Sequence, residues 1–464
     1  MLLRPLLPLF VLSTSLMAQD PGRDYFPPAP VPDRIILNLT ERPAERVAVS
    51  WRTSPVVARS LVQVALADPS PDLEENARTI AGTSKTLLTD LNGARFHSAV
   101  MDSLRPATQY AYRVGDSTHW SEWNHFTTAA MDAAPFSFLY FGDAQNDLKS
   151  LWSRAIRGAY ARMPDADFLL HAGDLINRST RDHEWGEWFY AGGWIHAVTP
   201  AIATPGNHEY GRDTAGIPEL SPHWRPTFAL PENGPAGFAE TAYSIDYQGA
   251  RIISLDSPAF LYDSTAADAQ VAWLEGLLAE NPNPWTIVFM HHPVFSSKLG
   301  RDNEELRTRL EPLFVRYGVD LVLQGHDHTY GRGTNLNVGE GTRPTVDGPI
   351  YVVSVSGPKM YDAGLADWMD RAASNTQLYQ LVSVSGDSLE YTAYTVTGER
   401  YDAFSLYRQP GGGPNVYVDR APEETPERLD LPPRYERNYS DEQREEYRNR
   451  FEAYRTRKRG GGPD

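Results

Sequence analysis

Five short stretches of this 464-residue chain end an apolar run on side chains that can hold a metal ion or move a proton: FGDAQ (141–145), HAGDLIN (171–177), TPGNHEY (204–210), VFMHHPVF (288–295) and LQGHDHTYGR (323–332). Each alone is a weak signal. An Asp after Gly commonly caps a turn or the next helix, and a lone His208 or His291 reads as an ordinary polar residue. Repetition at five strand ends points instead to one site, because ligand sites in open α/β sheets gather outside the carboxyl ends of the strands. The chain has no cysteine, so no thiolate serves as ligand or nucleophile. Metal ligands must come from His, Asp, Glu, Asn, Gln or Tyr. Hard oxygens mixed with borderline imidazoles suit Mn, Fe or Zn better than Ca or Cu(I).

The elements that must position these residues follow from hydrophobic patterning. From Phe136 apolar strands alternate with amphipathic segments: FSFLYF, then KSLWSRAIRGAYARM, then ADFLLHAGD, and later RIISLDS, WTIVFMHH, VDLVLQGH, IYVVSVSG and the pair QLYQLVSV and SLEYTAYTV. Helices are expected over 267–280 and 302–317. This gives an α/β domain over 134–408 with both sheet faces covered. Residues 28–128 read as short alternating strands; Val47, Val49 and Trp51 share one face of RVAVSW, and the spacing suggests an all-β sandwich. Leu104, Pro106, Thr108 and Tyr110 in LRPATQYAYRVG look like the tyrosine corner of a fibronectin type III-like domain, with nothing catalytic in it.

Beyond Arg408 the composition turns to PGGGP and a Pro- and Glu-rich run with too little apolar content to fold alone, so 409–464 reads as a linker followed by a charged helix or tail. Ser440 and Gln443 form a candidate capping box for that helix, and Tyr447, Phe451 and Tyr454 fall on one stripe, as in a helix docked on the body. At the other end, MLLRPLLPLFVLSTSLMAQD places Arg4 before an apolar run and ends it at the small residue Ala18. The pattern is that of a signal peptide over 1–18, too short to span a bilayer, and implies a secreted or periplasmic protein with no transmembrane segment in the mature chain.

A 41% hydrophobic content allows a sizeable core, and a formal net charge of −17 argues against a nucleic-acid partner. An anionic substrate would need a strong local positive charge, for which a bound metal is the obvious source.

GNHE at 206–209, MHHP at 290–293 and GHDH at 325–328, in that order, resemble the calcineurin-like metallophosphoesterases. With the N-terminal sandwich, the resemblance is strongest to the purple acid phosphatase branch and covers roughly residues 30–405. It implies a fibronectin III-like sandwich followed by an α/β domain whose core is a β-sandwich flanked by helices. It also implies two metal ions of Fe, Mn or Zn type. Asp174 would bridge them, Asp143 and His328 would complete metal one, and Asn207, His291 and His326 would hold metal two. His292 competes with His291, which the resemblance favours because Val288 stands three residues before it. The two metals would bind phosphate oxygens and bring a shared water to a near-neutral pKa for in-line attack. His208 would protonate or stabilise the leaving group, or orient Asp143 or Asp174.

Two departures stand out. The purple acid phosphatases have a tyrosine three residues after the bridging aspartate, where this chain has Asn177, and the wider family has a histidine where this chain has Gln145. Gln145 and Asn177 are therefore candidate weak ligands to metal one or groups that hold its ligands, with Asn177 also open to a plain turn role. Two divalent ions without the phenolate carry the same net charge as an Fe(III)/M(II) pair with it. In the Pro- and Gly-rich loop after GNHE, Arg212, His223 and Arg225, with Trp224 beside them, either reach a substrate phosphate or pack and solvate the loop.

The expected activity is that of an exported dinuclear, acid phosphatase-like hydrolase of small phosphomonoesters. The rivals are a phosphodiesterase or nucleotide phosphatase and, from another class, a carbohydrate- or surface-binding protein with an inactive metal site, against which the presence of His208 argues.

Overall fold

The computed structural model describes residues 26–334, 345–346 and 348–460; the expected signal peptide at 1–18 lies outside them. Two sheets face each other across the main core. In the first, strands Phe136–Phe141, Phe168–His171 and Ala201–Ala203 run parallel and are extended by antiparallel Leu378–Ser385, Ser388–Thr395 and Arg400–Tyr407. In the second, Ala250–Leu255, Trp285–Met290, Leu321–Gln324 and Ile350–Val353 run parallel. These strands are near-continuous apolar runs because both of their faces are covered.

Phe138, Leu170 and Ile202 of one sheet meet Ile252, Ile287, Phe289 and Leu323 of the other in a single buried cluster. Trp152, Ile156, Trp185 and Trp188 join it from helices on the first sheet's outer side. Helices Ser264–Ala279 and Glu304–Arg316 cover the second sheet, setting Leu274, Leu310 and Phe314 against Val288, Met290 and Val322. Asp263 starts the first of these two helices by accepting the Thr265 amide at 2.9 Å. Burying each such apolar side chain stabilises the fold by about 1.5–3 kcal/mol, and the result is a rigid frame whose parallel strands end at a common rim.

The N-terminal region is the expected sandwich, with Val47, Val49 and Trp51 packed against Val62, Tyr112 and Phe126. The Tyr110 hydroxyl accepts the Arg105 amide at 2.8 Å, which closes the tyrosine corner. One of its sheets does not stop at the domain edge. Strand Asp33–Leu39 pairs in parallel with Ala201–Ala203, so a single 12-stranded sheet runs through both parts. Asn38 seals that seam: its amide nitrogen donates to the Ala201 carbonyl at 2.9 Å and its oxygen accepts from the Ala229 amide at 3.1 Å.

The linker reading of the stretch after Arg408 needs correction. Strand Asn415–Asp419 pairs with Arg400–Tyr407 and extends the first sheet, and Leu429 is buried against the second sheet's helical side. The final helix Asp441–Gly460 begins with the reciprocal bonds of a capping box between Ser440 and Gln443. It lies on the body through buried Tyr447 and Tyr454.

Candidate metal centre

The five strand ends converge, and their loops are tightly wound. Asp174, His326 and His328 adopt left-handed backbone conformations at φ 51°, 72° and 50°. Such conformations cost non-glycine residues about 1–3 kcal/mol each and persist only where the surroundings fix them. At Asp174, buried Glu209 does much of the fixing. Its carboxylate accepts the amides of Asp174 (2.8 Å), Leu175 (2.8 Å) and Gly206 (2.7 Å), tying the HAGD loop to the GNHE loop. Gly206 and Gly325 leave room for the acids, since a Cβ at either would collide with Asp174 Oδ1 or Asp143 Oδ1.

Asp143, Asp174 and His328 bring ligand atoms within 4.8 Å of one another, and so do His291, His292 and His326. His328 Nε2 lies 3.1 Å from Asp143 Oδ2. His291 Nε2 faces Asp174 Oδ2 at 3.3 Å, Asn207 Oδ1 at 3.2 Å and His326 Nδ1 at 3.1 Å. Asp174 therefore touches both groups. Backbone carbonyls set the two rings: His291 Nδ1 donates to Ala172 at 2.9 Å and His328 Nδ1 to Lys359 at 2.9 Å, so each turns Nε2 to the centre. His292 instead bonds Ser257 Oγ through Nδ1 at 3.1 Å, and its ring packs on that of His326.

The electrostatics fit cations. Around His291 Nε2 stand a carboxylate, an amide oxygen and a ring nitrogen, groups that accept hydrogen bonds and repel one another unless something positive lies between them. Asp143 Oδ2 is buried with no hydrogen-bond partner. Burial, helped by the charge of Asp174, pushes the Asp143 carboxyl up to about 7. Burial opposes a proton on His291, but Asp174 and Asp143 outweigh it and hold that imidazole up at about 9, the same pull they would exert on a metal ion. Burial lowers His326 and His328 well below the usual histidine range, leaving neutral imidazoles suited to ligation.

His208 lies at the edge of the centre, its ring part-exposed, with Nε2 3.9 Å from Asp174 Oδ2. Its backbone amide donates to Asp174 Oδ1 at 2.8 Å, and its Nδ1 bonds the carbonyl oxygen of Asn177 at 2.6 Å. Asn177 thus meets the site through its backbone, while its own amide bonds Glu184 Oε2 at 2.7 Å. Gln145 lies inside the centre, its side-chain nitrogen 2.6 Å from Asp174 Oδ2 and 3.3 Å from His328 Nε2.

The loop after GNHE had two roles open to it, reaching a substrate phosphate or packing. His223 is buried beside Asp182, with Nε2 3.4 Å from Oδ1, and stacks on Trp185, so it faces the interior rather than a substrate. Arg225 pairs with Glu240 at 3.4 Å and lines a recess with Thr83, Lys85 and Phe96 of the N-terminal sandwich. Arg212 spends a guanidinium nitrogen on the Gly216 carbonyl at 2.6 Å. His223 and Arg225 thus pack the loop, one of the two roles its composition left open, and Arg212 stands exposed on its rim.

Sequence reasoning missed Glu209, although it stands in GNHE, and missed Lys359. The Lys359 ammonium donates to Gln145 Oε1 at 3.3 Å. Its only signal was a basic residue shortly after the strand IYVV.

Residues 136–330 match the family model for calcineurin-like phosphoesterase, and residues 32–128 match that for the purple acid phosphatase N-terminal domain. The chain is 26% identical over 412 residues to the phosphoenolpyruvate phosphatase of Allium cepa, covering 84% of this chain and 81% of that one. It is 28% identical over 368 residues to acid phosphatase type 7 of Homo sapiens, with 71% and 78% covered. Among solved structures, purple acid phosphatase PPD1 from yellow lupin (Lupinus luteus) seeds has the same fold, with a TM-score of 0.68 at 19% identity over 82% of this chain and 75% of that one. PhoD aligns with a TM-score of 0.60 at 13% identity over 91% and 98%.

Proposed function

As a metal-dependent phosphatase whose calcineurin-like phosphoesterase domain follows the N-terminal domain of purple acid phosphatases, the chain is, we propose, an exported dinuclear enzyme that hydrolyses small phosphomonoesters. The observation that carries the dinuclear reading is the position of Asp174. Its carboxylate belongs to the cluster with Asp143 and His328 and also faces His291 Nε2, which in turn faces Asn207 and His326. Asp143, Asp174 and His328 would hold one ion, and Asp174, Asn207, His291 and His326 the other. Gln145, bonded to Asp174, supports metal one; Asn177 supports the site through its carbonyl.

Two divalent ions bound there supply Lewis-acid charge for phosphate oxygens and an activated water. The chain's own contribution is orientation and proton handling. With Nδ1–H committed to the Asn177 carbonyl, His208 presents Nε2 to the centre, where as the imidazolium it can give a proton to the departing alkoxide. Export draws its support from the Arg4-led apolar run at 1–18. It is tested by sequencing the N-terminus of the protein recovered outside the cytoplasm, where a start near Gln19 is expected.

Metal analysis of protein purified without chelator, combined with hydrolysis of 4-nitrophenyl phosphate and bis(4-nitrophenyl) phosphate, tests the rest. Two metals per chain, a faster monoester reaction and loss of activity in EDTA are expected. A dominant diester reaction would favour the phosphodiesterase reading. An inert protein with metals bound would favour the binding protein.

A further inference from the structure

Cations crowd one aromatic ring beside the metal centre. Lys298 Nζ lies 4.8 Å from the centroid of Tyr361, Lys359 Nζ 5.6 Å and the Arg301 guanidinium carbon 5.9 Å. The same ring meets the His328 imidazole edge-on at 4.7 Å. Like charges gathered around one ring repel, and this chain, at −17, carries many carboxylates that could have separated them.

Of these three, Arg301 alone is matched at close range to a carboxylate among the described residues. It bonds Asp327 Oδ1 at 2.6 Å and the His326 carbonyl at 3.2 Å, and Asp327 is further held by Ser296 Oγ and the Ser297 amide. The hydrogen bond described for the Lys359 ammonium goes to the neutral oxygen of Gln145. Lys298 Nζ rests on the ring; Asp327 and Asp362 act on it from further off, and Asp362 already accepts the Tyr439 hydroxyl. Burial, with Arg301 adding to it, pushes the Lys298 ammonium below the usual lysine range, with Asp362 and Asp327 acting against the shift.

The cluster is also well placed. Gln145, which Lys359 touches, is in contact with both Asp174 and His328, so that ammonium is one side chain away from two residues that would hold metal one. Tyr435, from the short helix Pro433–Asn438, meets Tyr361 edge-on at 6.4 Å.

We propose that Lys298 and Lys359 form an anion subsite beside metal one that takes a second negative group of the substrate, a phosphoryl or a carboxylate. The preferred esters are then bisphosphates or phosphorylated hydroxy acids rather than phosphates of neutral alcohols. The inference rests on the phosphatase reading of the adjoining centre, since a phosphoryl group held there is what brings the second anion within reach.

The experiment uses the full, metal-loaded protein and three phosphonates that cannot turn over: propylphosphonate, 3-phosphonopropionate and propane-1,3-bisphosphonate. Titration calorimetry at low ionic strength should give a Kd about tenfold lower for at least one doubly anionic ligand than for propylphosphonate. The gap should narrow as salt is raised and should vanish in Lys298→Gln/Lys359→Gln. Whichever ligand shows the larger gap tells carboxylate from phosphoryl. The ratio of kcat/KM for 3-phosphoglycerate over glycerol 3-phosphate should fall toward one in the same variant. Equal Kd values for all three ligands, or a gap that survives both substitutions, overturns the subsite. Failure to hydrolyse 4-nitrophenyl phosphate overturns the phosphatase reading and the subsite with it, so the two failures are told apart.

Discussion

Asn177 occupies the position of a tyrosine in the purple acid phosphatases, and its structural role lies in the backbone. Its carbonyl oxygen, 2.6 Å from His208 Nδ1, fixes the ring that faces the centre. Asn177→Ala keeps that carbonyl and should cost less than about threefold in kcat/KM, under 1 kcal/mol of barrier. His208→Ala should retain both metals and lose about 10²–10⁴ in rate, the range typical of general acid–base catalysis. The loss should be smaller with a good leaving group such as 4-nitrophenol; an equal loss for alkyl and nitrophenyl esters would mean that His208 acts only by placing Asp174. Asn207→Ala and His326→Ala each remove a donor facing His291 Nε2, so metal analysis should find about one ion per chain and no turnover. Colour probes the same position. The hydroxyls of Tyr210 and Tyr330 are committed to Asp256 (2.7 Å) and Asp402 (2.6 Å), so neither is offered to a metal. Protein loaded with iron in air should therefore lack a purple phenolate band, and a purple solution would refute the assignment. The residues gathered here were legible because each belongs to a local strand-tip motif. Lys298 and Lys359 were not, because separate loops bring them together only after folding.

At the scale of elements, the parallel strands announced themselves as continuous apolar runs, and the helices expected over 267–280 and 302–317 are found at Ser264–Ala279 and Glu304–Arg316. Strand Asn415–Asp419 did not. It is short and largely part-exposed, follows a Gly- and Pro-rich turn, and takes its stability from pairing with Arg400–Tyr407 rather than from its own apolar content. The final helix shows the same dependence on context. Its stripe is legible in sequence, but the surface that receives it is not: the Tyr447 hydroxyl donates to the Leu429 carbonyl at 2.8 Å and Tyr454 to Glu427 Oε1 at 2.7 Å. Tyr454→Ala should cost about 3–5 kcal/mol, as for other large buried aromatics, and lower Tm while leaving metal content intact. An unchanged Tm would show that the helix is detached in solution.

At the scale of the whole molecule, the sandwich and the phosphoesterase domain are joined through buried charge that no motif signals. Arg34 holds Asp182 through two bonds of 2.8 Å, Arg52 approaches it at 3.3 Å, and His223 completes the cluster. Burial opposes the charge of Asp182, but His223, Arg34 and Arg52 outweigh it and hold the carboxyl well below its usual range. A depressed carboxyl contributes stability that is present above its unfolded pKa near 4 and is lost as pH falls through the folded value. The histidines act at milder acidity. Burial holds His97, stacked on Trp51 in the sandwich, down at about 4, and His196, stacked on Trp188, down at about 3. Their unfolded pKa is about 6.5, so below that pH the unfolded chain binds protons that the folded chain refuses, at about 1.4 kcal/mol per pKa unit and residue. From these three groups, in the metal-loaded protein, Tm should fall as pH drops from about 6.5 to 4 on the histidine account, and fall further below 4 as Asp182 adds its share. His97→Gln keeps a polar group between the Thr53 and Ser60 hydroxyls and removes one titration, so its Tm should decline less steeply from pH 6.5 to 4 than that of the native protein. Its hydrolysis at pH 7 should be unaffected, because His97 lies in the sandwich, away from the metal centre. Scanning calorimetry of the two proteins across that interval decides the matter: parallel declines would remove His97 from the account of acid stability, and a flat profile for the native chain would remove both histidines.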